Sequence, residues 1–103
     1  VLGSRGLGDV YKRQGKSYAK IMFVVGKSSG KFDAVNQLSQ KLSDLANATV
    51  PKISRGVYVK KSHYNQGISD NMVLIEVGAQ SNTKEEVQAT VEIIAKAIGE
   101  YLE

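Results

Sequence analysis

The sequence has no cysteine, no tryptophan, one proline and one histidine, His63, in 103 residues. Without cysteine there are no disulfides and no thiolate metal site. With a single histidine, no His-x-Glu or His-Glu-x-x-His spacing can be written. A hydrolytic zinc site takes three protein ligands and leaves one position open for water, and this sequence does not supply that set: no metal ligands are assigned. The apolar runs fall far short of the about 20 residues that span a bilayer, so no membrane span is expected, and no signal peptide is visible.

What the chain does contain is ordinary for a globular protein, with 42% hydrophobic and 23% charged residues. Its length allows one small domain. The net charge of +4 raises the question of a polyanionic partner. Half of that excess comes from Val1–Gln14, where Arg5, Lys12 and Arg13 stand against Asp9. Asp9–Gln14 reads DVYKRQ, which looks like a translated sequencing adapter of the kind left at contig ends in assembled environmental DNA. Residues 1–14 are therefore expected to be a non-native tail, and residues 15–103 the native domain. The remaining basic residues are scattered among acidic ones with no aromatic-interleaved stripe, which argues against nucleic acid.

Ala19–Val25 is a short run rich in Ile, Phe and Val, closed by Gly26, and reads as a buried strand. The following GKSSGK contains Gly-Lys-Ser, but Ile21 occupies the place of the leading glycine that a phosphate loop requires. Asp33–Ala48 has helical spacing, with Val35, Leu38, Leu42 and Leu45 on one stripe, Asp33 as N-cap and Pro51 as terminator. RGVYVKK around Gly56–Val59 alternates as a strand, and SHYNQGISDN (62–71) reads as a polar loop. Met72–Val77 is a second apolar run of the kind that suits a central parallel strand. Thr83 and Glu86 form a capping box for a last helix, with Val87, Val91, Ile94, Ala95, Ile98 and Leu102 as its expected apolar face. The fold class expected is α/β: a partial two- or three-layer arrangement with mostly parallel strands and flanking helices, resembling part of a larger sheet.

Glu76 stands inside MVLIEVG. A carboxylate in a core strand is costly unless paired, ligated or protonated. Read as the carboxyl end of a parallel strand, its position is the edge where ligands of open α/β sheets gather. The bland alternative is a sheet-edge glutamate paired with a lysine in solvent.

Several motifs carry a family resemblance. VLIEVG at Val73–Gly78, Ser81–Asn82, Glu85–Val87 and the upstream SRGVYV at Ser54–Val59 resemble zinc-dependent N-acetylmuramoyl-L-alanine amidases. YNQ at Tyr64–Gln66, then Ser69 and LIEVG at Leu74–Gly78, together with AKIMFVVGK at Ala19–Lys27, resemble more closely the stage II sporulation protein P family. The likeness covers nearly all of residues 15–103 and implies that they are the C-terminal portion of an amidase-like catalytic domain. Gly67 and Asp70 depart from it, standing where an acidic residue and a proline are common.

The resemblance implies a peptidoglycan hydrolase that cleaves the amide between N-acetylmuramic acid and L-alanine outside the membrane. That activity would serve septal wall remodelling in sporulation, alongside membrane-anchored sporulation partners. It implies Glu76 as the catalytic carboxylate, beside a zinc in the full-length protein whose ligands lie upstream of Ala19. This chain alone would then bind no zinc and be inactive. Tyr64, Asn65 and Gln66 are either turn residues or contacts to glycan or peptide, and His63 reads as a solvated loop histidine. The competing expectation is a non-catalytic wall-binding module.

Overall fold

In the computed structural model, residues 10–26, 32–60 and 73–103 are described. His63, Tyr64, Asn65 and Gln66 lie outside them. The elements are β1 (Val10–Arg13), β2 (Lys16–Ala19), β3 (Ile21–Gly26), α1 (Phe32–Thr49), β4 (Ser54–Lys60), β5 (Leu74–Val77) and α2 (Lys84–Leu102).

The strongest apolar run in the sequence becomes the middle of the fold. All six residues of β3 are buried, and β3 is the central strand of a sheet ordered β4-β3-β5. β4 runs parallel to it. β5 runs antiparallel, with Ile21 opposite Val77, Met22 opposite Glu76 and Val24 opposite Leu74. The sheet is therefore mixed, which corrects the expectation of mostly parallel strands. The reason is legible in the connection: residues 61–73 carry no helical periodicity, and a parallel return needs a crossover that is usually a helix. β5 is also an edge strand, half-buried along its length, and not the central strand its composition suggested.

A second, two-stranded sheet pairs β1 with β2 antiparallel. Gln14 and Gly15 link them with φ of +53° and +79°, the two-residue type I′ geometry that matches strand twist. Val10–Arg13 falls within the stretch set aside from the sequence as a tail (1–14). In the structure it is a paired strand, and Tyr11 packs on the core.

That core joins Ile21 and Phe23 of β3 to Leu42 and Ala46 of α1, Ala89 of α2, and Val50 and Ile53. Helix α1 begins one residue before Asp33. Its buried positions are Val35, Ser39, Leu42, Ser43 and Ala46, while Leu38 and Leu45, expected on the inner stripe, are half-buried. Small serines let α1 approach closely: Ser43 Oγ and Ser54 Oγ of β4 share a buried hydrogen bond of 2.6 Å.

The capping box of α2 is present as expected. Its buried face is only in part the expected one: Ile94 packs on the core, and Ala89, Thr90 and Ala97 face inward, whereas Val91, Ile98 and Leu102 are exposed. Thr90 decides the orientation. Its buried hydroxyl donates to the Ala19 carbonyl at 2.6 Å and tethers α2 to the end of β2. No helix among the described residues is long and apolar enough to cross a membrane.

Candidate functional site at the amino edge of the sheet

Because β5 is antiparallel, its carboxyl end meets the amino ends of β3 and β4. The amide of Gly78 donates to the Lys20 carbonyl at 2.8 Å, and the amide of Ile21 donates to the Ile53 carbonyl at 2.9 Å. Glu76 thus lies near the amino edge of the sheet, not among strand carboxyl ends as the parallel reading supposed. The edge where ligands of parallel sheets gather is the opposite one.

Glu76 pairs with Met22 across the strands, and paired residues share a sheet face. That face carries a small cluster of Met22, Val24, Tyr58 and Leu74, separate from the cluster that includes α1 and α2. Glu76 is half-buried. Among the described residues its carboxylate has no hydrogen bond or ion pair, and the lysine partner of the bland reading is absent there. A partly covered carboxylate beside a buried methionine keeps all its acceptor capacity for an external donor. Neither of the two clefts described here is lined by Glu76.

The residues after Glu76 have structural work of their own. Gly78 has φ +64°, and a Cβ placed there would lie 2.6 Å from Asn82 Oδ1 and 3.1 Å from Ala19 Cβ. Asn82 Oδ1 accepts from the Ala79 amide at 2.9 Å, and Asn82 Nδ2 donates to Glu86 Oε1 at 3.2 Å. The same Glu86 oxygen accepts from the Thr83 amide at 2.9 Å, while Thr83 Oγ1 accepts from the Glu86 amide. The Thr83 amide, reinforced by Asn82, holds the Glu86 carboxyl below the usual carboxylate range. The Gly-Asn-Glu spacing is thus explained by a strand-to-helix elbow that fixes where β5 ends.

On the β4 side of the same edge lies an open cleft of about 500 Å³ lined by Lys20, Asn47, Pro51, Lys52, Ser54 and Arg55. Lys52 has φ +71°, a left-handed conformation that costs a non-glycine residue roughly 1–2 kcal/mol. Lys20 Nζ donates to the Lys52 carbonyl at 3.1 Å and braces that turn. Asn47 Oδ1 accepts from the Ser54 amide at 2.8 Å. Between Ser54 and Val57 the register with β3 shifts by one residue, and Gly56 takes φ +103°. This is a bulge, a device that re-aims side chains, and the residue beside Gly56 is Arg55. The sequence reading missed this cleft. Its signals were the Pro51-Lys52 turn and the Arg-Gly pair, but only the fold brings them to Lys20.

The described residues do not fit a zinc centre: no three His, Cys, Asp or Glu side chains come together among them.

Comparison with known proteins follows the same lines. The profile of the family described as Stage II sporulation protein P (SpoIIP) matches residues 11–99. Stage II sporulation protein P of Bacillus subtilis (strain 168) is 36% identical over 92 residues, which cover 84% of this chain and 23% of that protein. The chain thus spans about a quarter of the length of that relative. No solved structure gives a significant match. With the family match running from β1 into α2 and through the Glu76 strand, the chain belongs to the stage II sporulation protein P family.

Proposed function

We propose that this chain is the portion of a peptidoglycan amidase domain that carries its proton-transfer carboxylate, Glu76, in a protein that acts outside the membrane on the cell wall during sporulation. One observation carries the reading: Glu76 is held half-buried on an apolar sheet face with no partner among the described residues. A carboxylate in such a place keeps its acceptor sites for an external donor.

In the reaction, water attacks the carbonyl carbon of the lactyl–L-alanine amide. Glu76 accepts the proton released as the C–O bond forms. It then delivers that proton to the alanine nitrogen as the C–N bond breaks. This general acid/base role needs a carboxylate within hydrogen-bond reach of the water, with no competing intramolecular partner. A zinc in the full-length protein would take its ligands from outside the described residues, and no step here is derived through it.

The test is Glu76→Gln in the full-length protein, assayed by release of stem peptides from purified muropeptides. The expected loss is about 10²- to 10⁴-fold, the usual size of a general acid/base contribution, with the far-ultraviolet circular dichroism unchanged. Turnover retained in the variant removes Glu76 from the role. If the unaltered full-length protein releases no stem peptide but sediments with peptidoglycan independently of metal, the chain is a wall-binding module instead.

A further inference from the structure

The cleft beside Lys20 has donors and no acceptor charge. Among the described residues, the Lys52 ammonium and the Arg55 guanidinium have no ion pair or hydrogen bond. Asn47 spends its Oδ1 on the Ser54 amide, which leaves its Nδ2 as a further donor. Ser54 Oγ is occupied by Ser43 and the Gly56 amide. No carboxylate lines the cleft among the described residues. Bringing cations to one depression without counter-charge works against folding, and a strained Lys52 and a bulge at Arg55–Gly56 hold the arrangement in place. An acceptor-only anion is the complement of such a lining, and the planar guanidinium fork matches a carboxylate in particular.

We propose that Lys52, Arg55 and Asn47 form a carboxylate-binding subsite that holds the free α-carboxylate of the glutamate residue of the peptidoglycan stem peptide. The proposal rests on the cell-wall reading above and names the part of the substrate that this edge takes. The geometry suits it. Lys20 bonds through its carbonyl to Gly78 and through its ammonium to the Lys52 carbonyl, so it ties the cleft to the end of the Glu76 strand. Glu76 stands two residues before Gly78 on that strand, on the sheet face that carries Met22.

The experiment titrates the chain with N-acetyl-L-alanyl-D-glutamate and with its diamide by calorimetry at low ionic strength. The dicarboxylate is expected to bind saturably, and the diamide about tenfold more weakly or worse, the loss of one charge-assisted hydrogen bond. Arg55→Ala and Lys52→Gly are each expected to weaken the dicarboxylate by a similar factor, with Arg55→Lys in between. Lys52→Gly relieves the positive φ, so it retains the fold and carries the test if Arg55→Ala unfolds. Equal affinity for dicarboxylate and diamide, or unchanged affinity in Lys52→Gly, overturns the proposal. So does displacement by inorganic phosphate or polyglycerol phosphate at lower concentration than the dicarboxylate, which would make the ligand a phosphodiester polymer. Failure of the amidase reading shows separately, as absence of stem-peptide release by the full-length protein while dicarboxylate binding stays dependent on Arg55.

Discussion

Replacing Gly78 by alanine tests whether the elbow after β5 is built as described. The new side chain would sit at φ +64°, which costs an L-residue about 1–2 kcal/mol. Its Cβ would also lie 2.6 Å from Asn82 Oδ1, so Asn82 must swing away. That breaks its bonds to the Ala79 amide and to Glu86, at about 1 kcal/mol each. The contact with Ala19 Cβ at 3.1 Å has no rotamer to relieve it. The sum is roughly 3–4 kcal/mol. Gly15→Ala is the control: φ is +79° but nothing lies within 4 Å of the added carbon, so only the backbone cost of about 1–2 kcal/mol remains. Urea unfolding followed by circular dichroism reads the difference. With a slope of about 1.5 kcal/mol per molar, the midpoint falls by about 2 M for Gly78→Ala and about 1 M for Gly15→Ala. Removing Asn82 first, as Asn82→Ala, should absorb much of the Gly78→Ala cost, because the two share one contact. Equal midpoints for the two glycine variants, or additive costs in the double variant, would refute the steric account.

Thr90→Val keeps the shape but strips the Ala19 carbonyl and the Glu86 carbonyl of a buried donor. It should cost about 1–3 kcal/mol in urea unfolding, and a cost below 0.5 kcal/mol would mean that α2 is not tethered there. Ser39 Oγ is buried and makes no hydrogen bond, so Ser39→Ala should raise stability by about 1 kcal/mol through relief of desolvation and better helix propensity. A loss of stability would show an unrecognised partner. Glu86, whose carboxyl is lowered from its ordinary 4.5, contributes stability that is present above that value and lost as pH falls through the lower, folded one. Wild type should therefore lose more stability than Glu86→Gln between about pH 6 and pH 3. Parallel pH curves would show that the capping box makes no ionic contribution.

Much of the scaffold could be read without coordinates. The buried β3 run, the alternation of β4, the α1 span ended before Pro51 and the Thr83–Glu86 box are local patterns, and each holds. The errors were of kind. The direction of β5 depends on what the chain does between Lys60 and Leu74, and an apolar run looks the same in either direction. The inner face of α2 was misjudged in part because large residues were weighed over small ones, while close packing on the core favours Ala89 and Ala97. The strand Val10–Arg13 lies within the stretch set aside on its likeness to an adapter, and its pairing with Lys16–Ala19 leaves the origin of that stretch untouched.

For the candidate site the division is sharper. The residue types and spacings alone marked Glu76 as out of place in a core strand, and they placed the Thr83–Glu86 capping box after it, because cost of burial and capping chemistry are local properties. Which edge Glu76 occupies, that its carboxylate meets no partner among the described residues, and that Lys20, Lys52 and Arg55 converge on one cleft were decided only by tertiary structure. Those facts depend on contacts between residues more than thirty apart, and strand direction, a single choice made by the whole chain, sets them all at once.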